Sequence, residues 1–167
     1  MRKILQKEES VLRETALEVP VDQIQSEEFQ RIIKEMKEAL ATQADGVAIA
    51  APQLGYLWRM FVVSNIAFLD KEDATDMVFI NPEIINQSKA ERFMDEGCLS
   101  CRYYYGKVLR KEKTKVRAYN EKGEVFEYGA SGLISQIFQH EIDHLNGVLF
   151  TDKAIDLHEV DPKDLNL

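Results

Sequence analysis

The segment His140-Glu141-Ile142-Asp143-His144 constrains this chain more than any other stretch of it. Two imidazoles four positions apart share one face when the segment is helical, so a helix must run through it. Leu133, Ile137, His140 and His144 follow one another at spacings of four, three and four. That stripe must turn inward, which predicts that both histidines point toward a sheet. One inward histidine is ordinarily a satisfied core residue, and one helix glutamate is ordinarily solvated. Two histidines at this spacing with Glu141 beside the first read instead as a metal site with a base next to it. A divalent ion held with one coordination position open can lower the pKa of water from about 15.7 to about 7. Hydrolysis is the chemistry this pattern points to.

The helix has partners along the chain. From 26 to 44, Phe29, Ile32, Ile33, Met36 and Leu40 recur at helical spacing, with Glu27 and Glu28 in the first turn, where the helix dipole favours negative charge. β-type runs follow at 60–64 and 77–80, and a hairpin at 114–119 and 124–128 turns through Asn120-Glu121-Lys122-Gly123. The last helix is predicted from near Ser131 to Asn146-Gly147, where glycine can supply a left-handed cap. This order gives an α+β fold, with mixed or antiparallel sheets packed around a C-terminal helix that carries the histidines. The aromatic run Tyr103-Tyr104-Tyr105 could line a substrate pocket, but packing on a strand edge is the preferred reading.

At 167 residues, 45% of them hydrophobic, the chain is expected to form one domain over 1–167 with a core that needs no disulfide. Its net charge of −8 opposes attraction to nucleic acid or to an anionic membrane surface, so peptide-like or small substrates fit better. No apolar run approaches the roughly 20 residues that span a bilayer, and the first residues lack a signal peptide's apolar stretch. A cytoplasmic location is the expectation.

Histidine and cysteine suit a borderline divalent metal, so the third ligand is to be sought among Cys98, Cys101 and His158. His158, in a polar tail, is the weakest of these. Cys98 follows a flexible glycine, Gly97, and with the two histidines and a water would make an open tetrahedral site. Cys98-Leu99-Ser100-Cys101 with His140 and His144 could also close a four-ligand structural site, although the 38 residues between Cys101 and His140 exceed a zinc-finger spacer and Glu141 would then have no role.

Three segments stand together: Gly46-Val47-Ala48-Ile49-Ala50-Ala51-Pro52-Gln53, Glu96-Gly97-Cys98-Leu99-Ser100, and Gln139-His140-Glu141-Ile142-Asp143-His144-Leu145-Asn146-Gly147. In this order and spacing the chain resembles the peptide deformylases, from Val11-Leu12-Arg13 to Gly147-Val148-Leu149-Phe150. The resemblance implies removal of the formyl group from the formyl-methionine of new polypeptides, with Fe(II), or zinc, nickel or cobalt in its place, held by Cys98, His140 and His144. It implies Glu141 as general base and then acid, and the Gln53 amide with the Leu99 N–H as donors to the developing oxyanion. Gly46, Ala48 and Gly97 would let substrate approach the backbone, Ile137 would wall a methionine pocket, and Asp143 would pair with a buried arginine such as Arg110. The chain departs from the pattern at Ala48, where the family usually has glycine, at Cys101-Arg102, where it has an apolar residue and proline, and at Tyr105, in place of an arginine. The tail from 152 to 167 is acidic, unlike a basic helix that docks on the ribosome, so at most a transient ribosome contact by another route is compatible with it. The rivals are a related hydrolase for another N-acyl substrate, a non-catalytic metal-binding protein closed by Cys101, and a general metallopeptidase.

Overall fold

A computed structural model describes residues 2–69 and 71–165. Helix α1 (Glu27–Ala41) starts where the Ser26 hydroxyl accepts a 3.4 Å hydrogen bond from the Phe29 N–H, and it buries Phe29, Ile32, Ile33, Met36 and Leu40. Strands β1 (Ala48–Ala50), β2 (Met60–Val63), β3 (Met77–Gln87), β4 (Glu91–Gly97), β5 (Tyr104–Lys111), β6 (Lys113–Tyr119) and β7 (Val125–Ser131) follow, then α2 (Gly132–Leu145) and β8 (Ile155–Glu159). They make a five-stranded sheet ordered β1-β2-β3-β6-β7 and a three-stranded sheet ordered β4-β5-β8, and every neighbouring pair is antiparallel.

The two helices cover opposite faces of the larger sheet. Met60 and Val62 of β2 pack with the α1 stripe, while Phe61 and Val63 face the other way, toward α2. Both faces of β2 are therefore buried, which is why it reads as an unbroken apolar run. On the α2 side Phe61 stacks on Phe79 at 4.7 Å, and Phe138 meets Phe79 edge-on at 5.1 Å. This geometry refines the stripe predicted to face a sheet. Ile134, Ile137, Phe138, Ile142 and Leu145 are the residues that α2 lays on the larger sheet, whereas His140 and His144 are rotated toward Glu96 of β4 and the turn after it. Leu133, at the head of that stripe, is 44% exposed at the rim of a cavity.

Four strands escaped the sequence reading. In β4 and β5 the inward positions include Glu96 and Arg110, which bond to each other. A buried ion pair replaces the apolar alternation that marks a strand, so hydrophobicity alone hides both. Short β1 merges with the loop before it, and β8 is exposed at all five of its positions, so it too lacks a pattern. The tail expected to be merely acidic thus contributes a strand to the smaller sheet, and among the described residues it holds no α-helix. The tyrosine run is also corrected, because β5 is the central strand of its sheet rather than an edge.

The end of α2 fixes where His144 sits. The Gly147 N–H bonds the His144 carbonyl at 3.1 Å and the Val148 N–H bonds the Asp143 carbonyl at 2.9 Å, the Schellman pattern, with Gly147 at φ +73°. A Cβ at Gly147 would lie 2.5 Å from the Arg13 carbonyl oxygen. Gly147→Ala therefore meets both left-handed strain and a backbone clash, and a loss of about 2 kcal/mol or more is expected in urea unfolding.

Candidate metal centre

The turn after β4 brings Cys98 to the histidine face of α2. The Cys98 sulfur, a His140 nitrogen and a His144 nitrogen all lie within 4.8 Å of one another, and His144 Nε2 is 3.3 Å from Cys98 Sγ. Cys101 and His158 fall outside this group. His158 lies in β8, where it pairs with Tyr105, and Cys101 packs with Leu12, Val108, Leu149 and Phe150.

The imidazoles are held for coordination. His140 Nδ1 is 2.5 Å from a Glu96 oxygen, which fixes the tautomer that leaves Nε2 free, as in carboxylate–histidine–metal arrangements. Burial lowers the pKa of His144 well below its usual value, with His140 adding to the effect, which favours the neutral ring that a ligand must present. His144 Nδ1 and Glu141 Oε2 are the buried side-chain atoms without a hydrogen-bond partner among the described residues. The soft-to-borderline donor set and these orphan atoms fit a divalent ion.

Glu96 anchors this arrangement, and the sequence reading assigned it no part. Burial pushes its carboxyl up, but the bonds from His140 and then Arg110 outweigh burial and hold it at about 2. Arg110, only 3% exposed, gives two bonds to Glu96 and one of 2.7 Å to Asp143, so the expected Asp143–Arg110 pair is present. Gln136 adds a 3.2 Å bond to Glu96. The available signal was strand periodicity, since residues two apart share a face and Glu96 precedes Cys98 by two.

Glu141 is different in kind. It is 3% exposed, and burial, opposed by the nearby His140, pushes its carboxyl up to about 7. A carboxyl poised there can take and return a proton near neutral pH. Gln53, 1% exposed, accepts the Ala50 N–H at 2.8 Å through Oε1, and its Nε2 lies 3.0 Å from Ser100 Oγ and 3.7 Å from Cys98 Sγ. Among the described residues the Leu99 N–H has no hydrogen-bond partner, while the Leu99 carbonyl accepts from Gln6 at 3.0 Å.

These groups surround a cavity of about 360 Å³ lined by Gly46, Ala48, Gln53, Gly97, Cys98, Leu99, Ile137, His140 and Glu141. Tyr105 and Arg102 line it as well. The Tyr105 ring lies over Gly97, where a Cβ would come within 2.7 Å of it, so Gly97 is bare to admit a ring. Gly46 is likewise bare for packing, because a Cβ there would lie 2.9 Å from Gln43 Cβ. Arg102 bonds both Asp45 oxygens, at 2.5 and 2.9 Å, and so ties the Gly46 loop to the cysteine turn.

Residues 1–160 match the sequence profile of the polypeptide deformylase family. A peptide deformylase of Clostridium botulinum is 42% identical over 155 residues, covering 92% of this chain and 97% of the relative. Among solved structures, a Synechococcus elongatus peptide deformylase in complex with actinonin superposes with a TM-score of 0.84 at 34% identity, over 93% of this chain and 81% of that one. A class I type b peptide deformylase of Acinetobacter baumannii with Met-Ala-Ser bound gives a TM-score of 0.82 at 31% identity, over 92% and 98% of the two chains.

Proposed function

Because this chain belongs to the polypeptide deformylase family, metal-dependent hydrolases that remove N-formyl groups, we propose that it deformylates the formyl-methionine of nascent chains at the Cys98, His140 and His144 centre. The observation that carries this reading is the convergence of those three ligand atoms beside a buried carboxyl that has one oxygen unpaired. A divalent ion held there supplies Lewis acidity and lowers the pKa of water within its reach.

The chain's own residues do the rest. Glu141 takes the proton of the attacking water and returns it to the departing amine. As the formyl carbon becomes tetrahedral its oxygen gains charge, and the Gln53 amide and the free Leu99 N–H donate to it. Gln53 suits that task because its oxygen is already tied to Ala50, which leaves the amide nitrogen no freedom to turn away. Losing one such donor costs about 2.7–4 kcal/mol of barrier. Gln53→Ala is therefore expected to lower kcat by about 10²–10³-fold with little change in KM, measured on formyl-Met-Ala-Ser. Leu133 and Ile137 give the apolar wall for the methionine side chain, and the Met-Ala-Ser bound by the Acinetobacter baumannii relative supports a peptide in this cleft.

Fe(II) is the metal we assign, with zinc, nickel or cobalt as substitutes that the same donors accept. A substrate that is a new polypeptide places the work in the cytoplasm, and residues 1–167 act as one catalytic unit because both sheets contribute to one cleft. Contact with the ribosome would be transient, and residues 152–165 offer it no basic α-helix, holding a strand and a short 3-10 turn at Pro162–Asp164. A related N-acyl substrate is the second reading, favoured by the Ala48 methyl and the Tyr105 ring in the cavity wall. The test is release of acid from formyl-, acetyl- and propionyl-Met-Ala-Ser by Fe(II)-loaded protein kept free of oxygen. Formate release exceeding the others by at least about tenfold supports deformylation; faster release of a larger acid would overturn it in favour of the second reading.

A further inference from the structure

Hydrolysis uses Cys98 and leaves Cys101 without a part. The two are the first and fourth residues of a β-turn closed by a 3.0 Å hydrogen bond from the Cys101 N–H to the Cys98 carbonyl. Such a turn keeps its end Cα atoms within about 7 Å, and disulfides usually span about 4.4–6.8 Å. Both cysteines are free and meet one apolar cluster, but of the two only Cys98 also lines the cavity. Cys98 lines the cavity, where a small solute can reach its sulfur, whereas Cys101 is 1% exposed and approaches the turn from the apolar interior. We propose that Cys101 is a resolving thiol, and that a peroxide entering the cavity converts the pair to a Cys98–Cys101 disulfide, withdrawing the sulfur ligand and releasing the metal reversibly. This rests on the reading of Cys98, His140 and His144 as the metal centre.

The chemistry balances with the peroxide as the sole oxidant. The Cys98 sulfur attacks one peroxide oxygen, the O–O bond breaks, and the other oxygen leaves as water, giving a sulfenic acid. The Cys101 sulfur attacks the Cys98 sulfur, the S–O bond breaks, and the departing hydroxide leaves as water with the Cys101 proton. In total the metal-holding Cys98 thiolate and the Cys101 thiol lose two electrons and one proton, a second proton comes from solvent, one hydrogen peroxide becomes two waters, and the metal leaves as its divalent ion. The neighbouring thiol also diverts Cys98 from the irreversible sulfinic and sulfonic acids.

The test treats zinc-loaded protein with a small excess of hydrogen peroxide in the presence of a chromogenic chelator, and follows intact mass. The native chain should lose the mass of two hydrogens and release its zinc, and dithiothreitol with added zinc should restore both binding and deformylation. Cys101→Ser and Cys101→Val, one polar and one apolar so that a packing defect in either is recognised, should bind zinc when reduced but gain the mass of two or three oxygens at Cys98, as sulfinic or sulfonic acid, and stay inactive after dithiothreitol. Oxygen gain by the native chain, or recovery of the variants equal to its own, would overturn the proposal. Zinc bound through Cys98 yet retained by the disulfide form would overturn the switch alone. Reduced protein whose zinc is unaffected by Cys98→Ser would overturn the metal centre with it.

Discussion

Glu141→Ala protein that keeps its full metal content is expected to release formate about 10²–10⁴-fold more slowly than the native chain. The carboxylates at the cavity are not interchangeable. Glu96 is committed to His140 and Arg110, Asp45 to Arg102, and Asp95 is exposed at the rim. Glu141 alone among these has a buried oxygen without a partner and a carboxyl poised near 7. The loss should fall on kcat rather than KM, because a proton shuttle acts in the transition state and not in ground-state binding. Glu141→Gln keeps the shape but cannot exchange a proton, so it should lose as much. A rate within tenfold of native for either metal-replete variant would remove Glu141 from the chemistry.

The second large effect is expected at Glu96. Glu96→Ala takes from Arg110 its two bonds to Glu96 and leaves the guanidinium with Asp143 alone. Breaking a buried pair by removing one partner typically costs about 3–5 kcal/mol. The same change frees His140 Nδ1, and loss of such a ligand-orienting carboxylate typically weakens metal affinity about 10–100-fold. Urea unfolding of the metal-free protein and zinc competition with a chelator separate the two effects. A variant as stable as the native chain, with equal zinc affinity, would show that the Glu96 contacts carry neither.

What could be read from the residues divides along physical lines. The elements found were those whose burial is one-sided and apolar, such as α1 with its Phe29, Ile32, Ile33, Met36 and Leu40 stripe, and the hairpin whose turn Asn120 and Gly123 announce. For that turn, Asn120 Oδ1 accepts the Lys122 and Glu124 N–H groups and Gly123 takes φ +78°. The three donors that converge were legible because i, i+4 spacing and a cysteine in a recognisable segment survive without a structure. The orientation of α2 was not. Two adjacent stripes of that helix are buried, one apolar and one chemical, and periodicity cannot say which meets the sheet. Glu96 was illegible for the converse reason, since a charged residue reads as exposed until its partner across the β4–β5 hairpin is known, whereas Arg110 was legible only as a partner of Asp143. Tyr105 was misplaced because nothing in its own segment reveals that a later strand, β8, pairs beside it.

Deformylation at this site needs an open centre with one sulfur and two imidazoles, and X-ray absorption at the zinc edge of zinc-loaded protein tests that directly. The predicted first shell has one sulfur at about 2.3 Å and two nitrogens at about 2.0–2.1 Å, with the sulfur scattering lost in Cys98→Ser and kept in Cys101→Ser. Two sulfurs in the shell, or a shell unchanged by Cys98→Ser, would contradict it.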